Sequence, residues 1–311
     1  MSWTADAATG VYKNHAISSK IRDAAVANSQ FMGFADMEPG YGKGRGDTVT
    51  ITRVHNLPLA NTVDENTELP SGRPLIDTKS VTVSEWGYKV KMTEFEENLT
   101  HYDINNKVQR ALRDQLRLTM DKMVCDAYKT TPYKVCSNGV DDIHEDTDGT
   151  MSSNPNVNMT AEHVGLMRDI LMGDLKATPF SDGCYVLIGS TKSLRGIKND
   201  TNYREWISHT DSRPFMTGEI PKIDNVRIIE TNHFDALDNA IGGSGVTGEA
   251  IMFGADAVFL ANVEEPELRR GVAADLGRFY EIGWVGTTQA GLTWDSATTT
   301  RALHWTALSL V

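Results

Sequence analysis

The sequence predicts an α+β protein. Three observations carry that reading. Two alternating strand runs precede one long amphipathic helix, the later strands and helices come in mixed order, and no regular βαβ alternation supports a doubly wound sheet. The chain has 311 residues, 40% hydrophobic and 23% charged, which is too apolar for a disordered polymer. A compact chain of this size buries ~75% of its unfolded surface. It needs no staple.

Residues 1–46 read as an arm and not as a domain. Ile17, Ile21, Ala24, Ala25 and Asn28 recur at helical spacing, and Pro39, Gly40, Gly42, Gly44 and Gly46 then break any regular structure. Such an arm packs on its own body or, in an assembly, on a neighbour. Residues 47–53 alternate, with Val49 and Ile51 on one face and Thr48, Thr50 and Thr52 on the other. That is a strand. A second strand is predicted over 81–92, with Val81 and Val83 in one register and Trp86, Tyr88, Val90 and Met92 in the other. The slip at Ser84 and Glu85 predicts a bulge. Between the two runs lie Pro58, Asn61, Asn66, Pro70, Gly72 and Pro74. The pair reads as an extended hairpin, too long to be stable alone, that docks elsewhere.

Residues 94–129 predict a long helix. Ile104, Val108, Leu112, Leu116, Met123 and Ala127 track one face, Lys107, Arg110, Arg113 and Arg117 the roughly opposite one, and Thr100 and Asp103 supply N-caps. Beyond Thr131 the pattern predicts an acidic loop (141–149), a helix (161–177), a buried strand (184–188) and a short helix around Leu194. Strands follow at 225–231 and 250–260, and two long ones at 279–285 and 298–310.

Charge and motifs remove function classes in turn. With 42 acidic against 30 basic residues the net charge is −12, which opposes a chain-wide coating of nucleic acid. Cys125, Cys136 and Cys184 make an odd set without paired spacing, the mark of thiols in a reducing compartment. The first ten residues lack the basic start and apolar core of a signal peptide, and no apolar run nears the ~20 residues of a membrane span. A soluble product with no membrane partner is expected, so the sequons at Asn98, Asn158 and Asn199 read as chance matches.

The glycines of 40–46 lack dinucleotide spacing and precede a strand, where that motif follows one. Gly189-Ser190-Thr191-Lys192-Ser193 lacks the adjacent Gly-Lys of a phosphate loop. Aligning Gly149 to a calcium-loop glycine puts His144 first and Pro155 last, where Asp and a bidentate Glu belong. A proline has no side-chain oxygen, so 141–149 reads as a solvated charge run. The eight histidines are scattered without i, i+4 pairs. Ser244 sits among glycines, but Val246 replaces the last glycine of a nucleophile elbow. No catalytic, cofactor or metal site emerges. The four cations of the long helix are either a solvated face or a contact for carboxylates or nucleic acid, and the overall charge favours carboxylates over DNA.

The order of these elements carries a resemblance. The arm, Gly46-Asp47-Thr48-Val49-Thr50-Ile51, the tip Asn66-Thr67-Glu68-Leu69-Pro70-Ser71-Gly72 and the long helix follow one another. Residues 217–231, Ala250-Ile251-Met252-Phe253-Gly254, Asp275-Leu276-Gly277-Arg278 and Gly283-Trp284-Val285-Gly286 complete it. The chain resembles the major capsid proteins of tailed bacteriophages with the HK97-like fold. That resemblance implies an N-arm (1–46), an extended E-loop hairpin (47–93), a P-domain with a spine helix (94–130), an A-domain (131–263) and a terminal segment returning to the P-domain (264–311).

It further implies self-assembly as pentamers and hexamers into an icosahedral head around double-stranded DNA, which is bound without sequence specificity. The virion is built in the host cytoplasm, with a portal and separate scaffolding or decoration proteins as further partners. Glu65, Asn66, Glu68 and Arg73 at the hairpin tip, with Lys107, Arg110, Arg113 and Arg117 on the helix, are the expected subunit contacts. An encapsulin-type compartment shell is the alternative within the fold. A soluble hydrolase with a cryptic site is the alternative outside it. Extended arms that bury area only against another subunit favour a shell, and a shell needs no catalytic pocket.

Overall fold

Helix α1 (Ile104–Lys129) organises the molecule. No Pro or Gly interrupts it, and its apolar residues recur on one side. Leu112, Met120, Met123, Val124, Ala127 and Tyr128 are buried in one core with Tyr280, Ile282 and Trp284. The computed structural model describes residues 26–38, 46–65, 68–69, 71–95, 104–201, 203, 222–240, 248–272, 275 and 278–308. The expected caps Thr100 and Asp103, the helical spacing from Ile17 to Ala25, Asn66 and Ser244 lie outside them.

Two main sheets flank this core. The first runs β1 (Asp36–Glu38), β10 (Val258–Arg270), β11 (Phe279–Leu292), β4 (Ser84–Thr93), parallel at β1–β10 and antiparallel elsewhere. Burial in β11 alternates without a break along its length, as a strand with one face on a helix requires. Trp284 is the anchor, with its ring buried and its Nε1 donating to Gln115 Oε1 at 3.3 Å.

The second sheet runs β6 (Ile143–Asp146), β5 (Lys134–Ser137), β12 (Ala302–Trp305), β9 (Ala250–Phe253), β7 (Tyr185–Ser190), β8 (Val226–Thr231). Helices α2 (Ala161–Asp169) and α3 (Ser193–Asn199) pack Val164, Met167, Leu194 and Ile197 with Leu187, Met252 and Leu303. Val186, Ile188, Ile251 and Phe253, which alternate with Leu187 and Met252, join the α1 core instead. Both faces of this sheet are therefore covered, which is why β7 is buried at every residue. A capping box starts α2. Thr160 Oγ1 accepts from the His163 amide while His163 Nδ1 accepts from the Thr160 amide.

Six elements differ from expectation. Residues 81–92 are not one bulged strand, because β3 (Ile76–Thr82) pairs with β2 (Thr48–Val54) whereas β4 pairs with β11. The Val83 amide donates to Asp47 O at 2.8 Å, closing the small ladder before the chain changes sheets. A change of sheet shifts the faces as a bulge does, so alternation cannot tell them apart. Residues 250–260 are likewise two strands in two sheets, β9 and β10. Gly254 makes the corner, and a Cβ there would lie 2.5 Å from Thr178 O.

The expected acidic loop contains β6, an edge strand against β5. The helix after Ala161 ends in a π-turn over Ile170–Asp174. Only Ala302–Trp305 of the last run is strand, while β11 continues past Val285 to Leu292. Strand β10 spans residues 263 and 264, and β12 lies in the six-stranded sheet beside β5.

Candidate subunit interface

The hairpin β2–β3 is built from its root outward. Its register runs from Thr48 opposite Thr82 to Val54 opposite Ile76. The inward residues Val49 and Ile51 are buried with Phe259 and Ala261 of β10, and Val81 and Val83 pack against them. Gly291 in β11 makes room, since a Cβ there would lie 2.4 Å from Val81 Cγ2. Polar contacts complete the root. Arg53 grips Asp77 with two bonds of 2.9 and 2.7 Å, and its Nη1 donates to Asp295 Oδ1 and to Thr293 O. Lys79 Nζ donates to Asp295 Oδ2 at 2.8 Å. Partial burial raises the Asp295 carboxyl, but the bonds and charges of Lys79 and Arg53 outweigh it and hold its pKa at about 2.

Beyond the root the hairpin exposes apolar surface. Val54, Leu57, Leu59, Val63, Leu69, Leu75 and Ile76 are all exposed, Leu59 at 94%. Single exposed apolar residues are ordinary, whereas here five lie on one loop and two on the strand ends that carry it. Glu65, Glu68 and Arg73 are exposed on the same loop.

The cations of α1 lie along one side of the helix. Arg110, Arg113 and Arg117 are exposed and Lys107 is half-buried. Lys107 and Arg110 already engage partners within the chain, and Arg117 Nη2 donates to Ala27 O at 3.3 Å. Part of the face thus holds the chain's own N-terminal segment.

Asp121 is the residue that sequence reasoning missed. It is fully buried and accepts from Ser29 Oγ, Phe31 N and Met32 N, with His233 Nδ1 at 3.1 Å. This one carboxylate docks the segment that enters from the arm. Its signal was an acid one turn beyond Arg117 on the cationic side, at the point where Met120, Met123, Val124 and Tyr128 make the helix buried nearly all round.

The remaining candidates have local explanations. Asp146 accepts from the Ser152 amide and hydroxyl, and Asp148 from those of Thr150, so both carboxylates serve turns. Ser193 Oγ donates to Ser190 O, and Gly248 packs so close that a Cβ would lie 2.3 Å from Ser193 N. That loop is closed by its own residues. All three cysteines are free thiols and buried. Among the described residues no group of three His, Cys, Asp or Glu side chains is placed to hold a metal, and no helix is long and apolar enough to cross a membrane.

No family model and no curated protein matches the chain. Solved structures do. The chain is similar to the capsid asymmetric unit of cyanophage Pam1 at 17% identity, with a TM-score of 0.71, over 98% of this chain and 100% of that one. The capsid structure of cyanophage P-SCSP1u gives 13% identity and a TM-score of 0.68, covering 96% and 93%. The acid-stable capsid structure of Helicobacter pylori bacteriophage KHP30 gives 12% and 0.64, covering 96% and 97%. With a long helix under a four-stranded sheet, a projecting hairpin and this likeness over nearly the full length of each chain, the protein has the HK97-like fold of phage capsid subunits.

Proposed function

We propose that the chain is a major capsid protein that assembles with copies of itself into an icosahedral head enclosing double-stranded DNA. Its role is structural and not catalytic. The observation that carries the reading is the hairpin, whose root is fixed to the body while its outer end, loop and strand ends together, presents seven apolar side chains to the outside. Such a surface is stable in water only when a second subunit covers it. The loop carries Glu65 and Glu68, and α1 carries Arg110 and Arg113. A neighbour's carboxylates on this cationic face would give the contact its register. A portal, separate scaffolding or decoration proteins and assembly in the host cytoplasm complete the proposal.

Deleting residues 61–74 tests it. The expected variant is a soluble chain that sediments as subunits under conditions where the parent forms particles. Normal particles from the variant would contradict the reading. Particles filled with protein in place of nucleic acid would point to the compartment shell.

A further inference from the structure

We propose that Asp295 is an ionic clamp that sets the angle of the β2–β3 hairpin, whose apolar grip on the body is small. The geometry separates what holds the hairpin together from what holds it to the body. Arg53–Asp77 is internal, joining the two strands of the hairpin. Asp295 is external. It lies in the segment after β11 and takes one cation from each strand, Arg53 from β2 and Lys79 from β3. Two tethers from two strands to one carboxylate fix an orientation, where a single tether would leave a swivel.

The apolar grip is small, with Val49, Ile51, Val81 and Val83 against Phe259 and Ala261 at the inner end. Past it, Trp294 lies under Arg53 at 5.6 Å and under Arg301 at 5.2 Å, with His55 edge-on at 5.5 Å. A cavity of about 240 Å³ opens at this level. It is lined on the hairpin side by Val54 and His55, and on the body side by Leu175, Lys176, Trp294 and Arg301. At this level the hairpin meets the body through Trp294 and leaves the rest of the gap unfilled. Seven residues of strand at ~3.3 Å each make a lever of about 23 Å, so a swing of roughly 15° moves its end about 6 Å. The clamp side chains are partly exposed, so salt screens them.

The inference needs only the hairpin's geometry and stands or falls apart from the shell reading. The test is a distance measurement by pulsed electron resonance on the unassembled full-length chain, with spin labels at Leu59→Cys and Val140→Cys. Both positions are exposed and the three native thiols are buried. Asp295→Asn is expected to broaden the distance distribution about twofold, on the scale of that tip displacement. Asp295→Glu should restore the narrow one. The parent at about 1 M salt, where the screening length is ~3 Å, should broaden likewise, and the Asp295→Asn variant should not respond to salt. If Asp295→Asn fails to fold, Lys79→Gln and the parent's salt series decide. A distribution unchanged in the variant, or in the salt series and Lys79→Gln, overturns the clamp.

Discussion

At the scale of single residues, the most consequential groups outside the proposed interface are three buried side chains, Glu249, His304 and Lys134, with the half-buried Lys129 at the end of α1. Glu249 receives Lys129 Nζ at 2.6 Å and the Asp238 amide at 2.9 Å. His304 Nε2 faces Glu249 Oε1 at 3.3 Å, and Lys134 Nζ stands 3.1 Å from His304 Nδ1. An ammonium donating to Nδ1 places the ring's single proton on Nε2, so a second proton on the ring would face Lys134. Burial first, and the Lys134 charge after it, push the His304 pKa down to about 4, against the pull of Glu249. Burial opposes ionisation of Glu249 too, but His304 and Lys129 outweigh it and bring its pKa to about 2. With His304 neutral at pH 7, the full charge bonded to Glu249 there is Lys129.

The sign is the same for both groups. Each has a folded pKa below its unfolded value, so each adds stability that is complete above the unfolded value and lost on acidification. Lys134, lowered by burial to about 8, stays protonated throughout the acid range and adds no slope there. Melting temperature should therefore fall between pH 6.5 and 4, by roughly 5 °C for a His304 contribution on the order of 2–3 kcal/mol. The His304→Gln variant should melt lower at pH 7 and show a flatter dependence above pH 4.5. A parent whose melting point is level from pH 7 to 4 would contradict this account.

At the scale of elements, α1 and the hairpin are the parts proposed to meet other chains. Exposed ion pairs contribute only ~0.2–1 kcal/mol each, but a shell repeats the contact in every subunit. Changing Arg110 and Arg113 together to Gln should lower assembly yield, and most at low salt, where the lost attraction was least screened. Equal yield at every ionic strength would show that this face is only solvated.

The elements also show where the sequence was legible. Val49 and Ile51 alternate with threonines, and β2 formed where that alternation placed it, with those two residues buried. The stripe of α1 was legible for the same reason, because a period reports a face. A period does not report a partner. Val83 and Gly254 are points where the chain leaves one sheet for another, and the apolar pattern runs on through both. The clamp was illegible for a related reason. Asp295 is one acid among 42, and its partners Arg53 and Lys79 are 242 and 216 residues away. Glu65, Glu68 and Arg73 were identified from the tip sequence and lie exposed on one loop, whereas the burial of Asp121 needed the fold.

At the scale of the whole molecule, an acidic chain combines a body of two sheets packed on the α1 core with a hairpin end whose apolar side chains have no cover in one subunit. On the proposed function, a net charge of −12 would keep a wall of this chain from adhering along its length to packaged phosphate, and leave binding to local cationic faces. Closed point-group assembly is the general way for such a surface to be buried without open-ended fibres. The most direct test is an electron micrograph of the purified full-length protein, with the nucleic-acid content of the same fraction measured by absorbance. The account predicts closed icosahedral shells, with double-stranded DNA inside those taken from productive assembly. A monodisperse small species that forms no shell at any concentration or salt would contradict it.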